Sequence, residues 1–497
     1  MNTLPKGFGG FVVYGLLLAC AVISLPSLPI ENPPIPVAVS VGMLAAWRYS
    51  WGLLNFIRGN WYNRFVFPRL RRDLPGDMPP KIYLLLTLFR IETETAAQVI
   101  HAAVKEAIAA GVPVNIITSI VEFSDELLIK NIFSRLNPPE HVTLTLLRIP
   151  GTGKREALAQ GFRAISRDVP PRGSVVALID GDTVLTEGLL KKCVPFFMAD
   201  EKLGALTTDE ICHVKDNGLW RAWHNLRFAQ RHLLMGSLSL SKRLMTLTGR
   251  MSMYRADIIT NPDFINHMLD DHLEHWRMGR FRFLTGDDKS SLYWVLKQGY
   301  AQMYVPDVHI VTLEDMPGSN FFSASSKLMF RWFGNMLRTN ERVIALGPRK
   351  MPFFIWWAFI DQRLSMWTTL CGPLFALMLS LQHGWGVFLY YMVWVGFTRG
   401  MQSVMLTAAR PVLDWRYPFL LYYNQIYGSL LKTWVLFRLD RQSWTRQKTS
   451  SSGKFKGLEK LWFDTGSGLI HSISVLTLIC AVGWAAHYFS LPRLFLP

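Results

Sequence analysis

The apolar residues of this 497-residue chain collect at its two ends. Apolar runs occupy 10–30 and 36–57, separated by "ENPPIP", and four more lie near 353–382, 383–408, 415–437 and 467–491. A helix of about 20 apolar residues crosses a hydrocarbon core of about 30 Å, so the pattern predicts an integral membrane protein. Between 80 and 320 the period changes, and short apolar strands alternate with helical stretches. "KIYLLLTLF" (81–89) precedes a helix near 93–110, "VPVNIITSIV" (112–121) one near 125–135, "HVTLTLLRI" (141–149) one at 154–167, and "SVVALID" (174–180) one at 185–198. Such alternation predicts a parallel sheet covered by helices, with ligands received at the carboxyl ends of the strands.

The first apolar run reads as a retained helix, not a cleaved leader. Only Lys6 precedes it, "SLPSLPI" is a poor cleavage site, and a second apolar run follows directly. Basic residues then orient the chain. "RGNWYNRFVFPRLRR" follows the second run, whereas the connector near Glu31 carries neither Lys nor Arg, so 58–350 is expected to face the cytoplasm. Arg438, Arg441, Arg446, Lys448, Lys454, Lys456 and Lys460 place 438–460 on the same side. That requires an even number of crossings between 350 and 438, where three apolar runs lie. The run 415–437, with Asn424, Gln425, Lys432 and several aromatic residues, is therefore assigned to the interface, and 353–363 is a second interfacial candidate.

The expected organisation is two N-terminal transmembrane helices (1–60), a cytoplasmic α/β domain (61–325) and interface helices (326–363). A transmembrane pair (364–412), an interface helix (413–437), a cytoplasmic loop (438–465) and a last transmembrane helix (466–497) complete it. About five crossings put the C-terminus on the periplasmic side. Arg48, Asp361, Arg363 and Arg399 fall inside apolar segments, where charge is costly unless it meets protein, water or the interface.

The net charge of +17 would suit nucleic acid, but much of it flanks membrane helices and no nucleic-acid motif accompanies it. Anionic lipid is the expected partner. The cysteines at 20, 193, 212, 371 and 480 have neither metal-ligand spacing nor a paired framework.

Chemistry is expected just after the strands. "SVVALI" runs into "DGDT", which sets Asp180 and Asp182 on one side of a tight turn, and such hard oxygen ligands suit Mg²⁺ or Mn²⁺. "PGTGKREAL" is not a P-loop, since Arg155 stands where the P-loop needs Ser or Thr. Its glycine turn leading to Lys154 and Arg155 at a helix start could hold a diphosphate, or serve only as a solvated cap. "FLTGDDKSS" places Asp287 and Asp288 side by side at another helix start, where each raises the other's proton affinity. Arg250, in "TLTGRMSMYR", offers either a fork for a carboxylate or a structural salt bridge.

Taken in order, "GK" (153–154), D-G-D (180–182), G-D-D-K (286–289), "YVPD" (304–307), "RW" (331–332) and "SWTR" (443–446) resemble the motifs of processive family-2 glycosyltransferases of bacterial membranes. That group contains the cellulose, chitin and hyaluronan synthases. "IPGTGKREALAQGFRAIS", "LTLTGRMSMYRA" and "LYYNQIYGSLLKTWVLFRLDRQSWTRQ" look like the catalytic subunits of bacterial alginate polymerases, over nearly the whole chain.

The resemblance implies an α/β fold plus an α-helical membrane part, with a GT-A-like nucleotide-sugar-binding domain inserted between transmembrane helices. It implies Asp288 as catalytic base with Asp287 beside it, and Asp182 with Asp180 on the metal and the nucleotide diphosphate. Lys154 and Arg155 would touch the nucleotide, and Glu122 would lie near the base. Arg331 would face phosphate and Trp332 the acceptor sugar, although Leu328 replaces the glutamine of the usual Q-x-x-R-W. Trp444, Thr445 and Arg446 resemble a mobile W-G-T-R loop without its glycine.

The implied donor is GDP-mannuronic acid, and the product β-1,4-polymannuronate, the alginate precursor. The implied partners are a co-polymerase subunit with a cyclic-di-GMP-binding PilZ domain and a periplasmic export assembly. A UDP-sugar synthase making a neutral polymer, and a transporter or receptor without enzymatic activity, are the alternatives.

Overall fold

The computed structural model describes residues 5–25, 35–214, 218–314, 316–318, 320–444, 449–452 and 457–489. They fall into two compact units, one formed by 58–359 with 440–453, the other by 1–57, 360–439 and 454–497.

The first unit is built on an eight-stranded sheet. Its strands are β1 (Ile82–Thr87), β2 (Val114–Ile120), β3 (Val142–Arg148), β4 (Val175–Asp180), β5 (Thr183–Leu185), β6 (Leu203–Val214) and β7 (Met251–Arg255). A small hairpin of β8 (His272–His275) and β9 (Gly279–Arg282) lies outside the sheet, and β10 (Ala301–Glu314) rejoins it. The order is β3-β2-β1-β4-β7-β6-β10-β5. Every residue of β2 and nearly all of β1 is buried, as continuous apolar runs covered on both faces must be.

The first four strands are parallel, in the registers Ile82↔Val114, Val114↔Val142 and Ile82↔Val175. Beyond them the sheet is mixed. β7 runs antiparallel to both β4 and β6, while β6 and β10 are parallel. The segment between the helix Gly218–Ser239 and β7 returns the chain to the carboxyl end of β4, where the Asp180 amide donates to the Arg250 carbonyl at 2.9 Å. From there β7 can only run back.

The helix expected at 185–198 is broken. Thr183–Leu185 instead pairs antiparallel with β10, and two one-turn helices, Leu189–Cys193 and Pro195–Ala199, follow. Pro195 has no N–H to continue the first of them. The helices Thr93–Ala110, Phe123–Leu136 and Lys154–Arg167 stand close to their expected places.

The second unit is helical. Among the described residues, Phe353–His383 and Gly457–Ala485 are long and apolar enough to cross a membrane, and Phe8–Ser24 is apolar but shorter. Gly386–Leu406 and Tyr417–Leu436 complete the described C-terminal helices. Phe375 and Leu379 pack with Val482 and Ala486, while Leu16, Leu17, Leu469, Ile473 and Leu476 remain exposed. Exposed apolar helical faces of this kind suit lipid contact. Two of the charges that fall in apolar segments of the sequence meet protein partners: Arg48 Nη1 lies 2.5 Å from Asp361 Oδ1, and Arg399 Nη1 donates to Gln402 Oε1 at 2.8 Å.

Candidate active site

A cleft opens at the carboxyl ends of β1 and β4. Thr87 and Asp180 are register partners there, and a Cβ on Gly181 would come within 2.8 Å of the Thr87 carbonyl oxygen. Only glycine lets the D-G-D turn lie so close to the neighbouring strand. Lys154 begins the helix that follows β3, and its Nζ sits 2.6 Å from Asp180 Oδ1 and 2.8 Å from Asp287 Oδ2. One cation thus joins two motifs far apart in sequence.

Asp287 and Asp288 open the helix Asp287–Lys297 behind Gly286, whose φ of 85° is left-handed. A Cβ on Gly286 would also meet Asn335 at 2.9 Å, so both backbone and space require glycine. Asn335 in turn accepts from the Thr285 hydroxyl at 2.7 Å. Gly249 completes the wall: a Cβ there would lie 3.5 Å from the Asp288 Cβ and 3.7 Å from the Lys154 Nζ.

Electrostatics separate the adjacent carboxylates. Burial pushes both upward, but Lys154, with Arg155 behind it, outweighs burial at Asp287 and holds that carboxyl below the usual range. At Asp288 burial and the Asp287 charge prevail over Lys289 and Lys154, and its proton affinity is raised. Burial also pushes Asp180 up to about 6, against Lys154 and with Asp182 and Asp287 beside it. Two like groups whose environments drive them apart in this way are suited to different chemical roles.

The Arg155 guanidinium turns away from the cleft into the domain. It donates to the Met268 carbonyl (2.9 Å), the Thr285 carbonyl (3.2 Å) and the Ser290 hydroxyl (3.0 Å), so it braces the loop that carries the two aspartates. Gln442 braces the same loop from the hairpin that starts at Arg441. Its side chain accepts from the Leu284 amide at 2.9 Å and donates to the Arg282 carbonyl at 2.8 Å. Arg250 is engaged in ion pairs, the second of the two readings open to it from sequence: Nη1 lies 2.9 Å from Glu210 Oε2, and Nη2 contacts Glu314.

Glu122 stands exposed at the N-cap of Phe123–Leu136, just past β2. Arg331 and Trp332 lie half-buried on the helix Phe321–Leu346, and Leu328 is buried on it. Trp332 stacks on Trp223 with ring centroids 5.9 Å apart. Trp444 ends the strand Arg441–Trp444, while Thr445 and Arg446 lie outside the described residues.

Residues 79–335 match the family described as glycosyltransferase-like family 2. Over 489 residues the chain is 45% identical to the glycosyltransferase Alg8 of Pseudomonas syringae pv. tomato, covering 97% of this chain and 99% of that one. It is 42% identical, over the same shares, to the glycosyltransferase Alg8 of Azotobacter vinelandii. The chain belongs to glycosyltransferase family 2, among the Alg8 glycosyltransferases. Among solved structures, the mannosyltransferase PcManGT from Pyrobaculum calidifontis in complex with GDP-Man and Mn²⁺ is 14% identical, with a TM-score of 0.48 over 80% of this chain and 98% of that one.

The fold of this glycosyltransferase is GT-A-like, and its substrate is a nucleotide sugar. The carboxylate oxygens of Asp180 and Asp182 are a donor set that fits a hard divalent cation, and Asp180 already carries a cationic group in Lys154. Among the described residues no cluster of three or more His, Cys, Asp or Glu side chains has metal-holding placement, so remaining ligands would come from the diphosphate or water.

Sequence motifs did not mark several residues that shape the site. Thr248, Ser252, Tyr254 and Ser291 line the cleft, and Glu210, Arg227 and Arg231 form a charged group around Arg250. The one available signal was the pair Arg227 and Arg231, four residues apart on a single helix. Like charges at that spacing repel unless an anion answers them.

Proposed function

We propose that this glycosyltransferase polymerises mannuronic acid from GDP-mannuronic acid into β-1,4-polymannuronate and delivers it across the bacterial inner membrane. The observation that carries the catalytic part is the separation of the two adjacent aspartates. Lys154 neutralises Asp287, and Asp288 is left beside it in the cleft with raised proton affinity. In the proposed step the Asp288 carboxylate takes the proton of the acceptor hydroxyl as its oxygen attacks the anomeric carbon. The bond from that carbon to the diphosphate breaks, GDP leaves with the electron pair, and configuration at the carbon inverts. Lys154 offsets charge on the departing diphosphate.

Mg²⁺ or Mn²⁺ held by Asp182 and Asp180 would supply further electrophilic stabilisation of the diphosphate. Glu122 is placed near the nucleotide base, Arg331 near phosphate and Trp332 under the acceptor sugar; Arg155 acts by bracing the aspartate loop. Trp444, Thr445 and Arg446 are assigned to a loop that closes over the donor. A multi-pass topology with a cytoplasmic catalytic domain, a PilZ-domain co-polymerase and a periplasmic export assembly complete the reading.

Membranes containing the chain and its co-polymerase, supplied with GDP-mannuronic acid and Mg²⁺, should release GDP and accumulate a mannuronate polymer. Polymer from a UDP-sugar in place of GDP-mannuronic acid would refute the donor assignment. No metal-dependent transfer from either donor would refute the enzymatic one.

A further inference from the structure

A group of arginines adjoins the cleft. Glu210, fully buried, accepts both Arg231 Nη1 (2.6 Å) and Arg250 Nη1 (2.9 Å), and Glu314 takes the other end of Arg250. Two carboxylates therefore serve Arg231 and Arg250. The third arginine of the group, Arg227, has no carboxylate within ion-pair distance among the described residues, and its Nη1 is buried without a hydrogen-bond partner. Its guanidinium carbon lies 3.9 Å above the Trp332 ring and 4.6 Å from the Trp223 ring. Nearby His224 cannot share the charge, because burial first, and then Arg227, push its imidazole down to about 2. Burial, with Arg250 and Arg231 beside it, likewise outweighs the more distant Glu314 and pushes Arg227 down to about 9.

Stacking on tryptophan returns part of what such a cation loses on leaving water, but it leaves the in-plane N–H groups unused. Those donors have the geometry of a carboxylate receptor. They also lie against the tryptophan assigned above to the acceptor sugar. We propose that Arg227 binds the carboxylate of the uronic acid residue resting on Trp332, and so selects an acidic over a neutral acceptor. This rests on the polymannuronate reading, which it deepens. Arg250, with both terminal nitrogens committed, would act as the positioning residue that keeps Glu210 and Glu314 away from Arg227.

The test compares binding of a mannuronate oligosaccharide and its carboxyl-reduced mannose counterpart to the purified full-length chain, by calorimetry. Wild type should prefer the acidic oligosaccharide, and Arg227→Gln should reduce that preference at least about tenfold, as expected when one partner of a partly buried charge pair is removed. Arg227→Lys, which keeps charge but loses the fork, should fall between. An equal affinity of wild type for both oligosaccharides, or an unchanged preference in the glutamine variant, would overturn the proposal. Should the glutamine variant not fold, a wild-type preference in Arg227→Lys would overturn it equally. Failure of the parent reading appears elsewhere, as wild-type membranes that make no polymer from GDP-mannuronic acid.

Discussion

The exchange Lys154→Met removes the cation that lies 2.6 Å from Asp180 and 2.8 Å from Asp287 while keeping the length of the side chain. Taking one partner from a buried ion pair costs about 3–5 kcal/mol. Shared between the two carboxylates, that is about 1.5–2.5 kcal/mol each, or about one to two pH units of added proton affinity. The Asp180 carboxyl starts from about 6. It would then titrate between about 7 and 8, and at neutral pH only about a tenth to a half of the molecules would keep it ionised.

Donor binding that needs an ionised Asp180 should therefore weaken about two- to tenfold at neutral pH, and should recover near pH 8.5. Loss of the ammonium's own bond to the diphosphate, about 1.5–3 kcal/mol for a charged hydrogen bond, adds about ten- to a hundredfold that pH does not restore. Calorimetric titration with GDP-mannuronic acid and Mn²⁺ at both pH values separates the two parts. Wild-type donor affinity in the methionine variant, or a pH dependence identical to that of wild type, would refute the reasoning.

Asp288→Asn keeps the shape of the proposed base without its basicity, so transfer should fall by about 10²–10⁴ while donor still binds; a productive Asp288→Asn beside an inactive Asp287→Asn would exchange the two roles. Asp287→Asn should instead leave transfer measurable with an altered pH dependence, because it removes the negative charge beside Asp288. Gln442→Ala should expose the Leu284 and Thr285 amides to faster hydrogen exchange, since the glutamine oxygen lies 2.9 Å from the first and 3.5 Å from the second; unchanged exchange would mean that the hairpin does not hold this loop in solution. A reporter fused after Pro497 should read periplasmic and one inserted near Ser451 cytoplasmic, and the opposite reading at Pro497 would mean a miscounted crossing.

Much of the catalytic domain was legible because its strands are unbroken apolar runs bounded by turns. β1, β2, β3 and β4 lie within the expected segments, and Lys154, Asp180 and Asp287 meet at the strand ends as doubly wound topology requires. The reversal of β7 was not legible. Strand direction depends on where the preceding connection delivers the chain, and 240–250 has no periodicity that says so. The side to which Arg155 points was equally hidden, because consecutive residues at a helix start look alike in sequence while one faces the cleft and the next the core. Arg227 and Trp332 stand more than a hundred residues apart, and only folding places one ring under the other's charge.

Placed side by side in a basic chain, Asp287 and Asp288 would each make the other harder to ionise, and a site of two equivalent carboxylates would offer neither a firm counter-ion nor a well-defined base. The fold breaks that equivalence by spending Asp287 on Lys154. The same lysine anchors Asp180, so the counter-ion of the proposed base's neighbour also fixes one carboxylate of the D-G-D turn. Arrival of a nucleoside diphosphate would offer Lys154 a stronger anionic partner and loosen its hold on Asp287, returning negative charge to the side of Asp288. The basicity of Asp288 would thereby rise when donor is bound, when an acceptor proton has to be taken, and stay lower when the cleft lacks one.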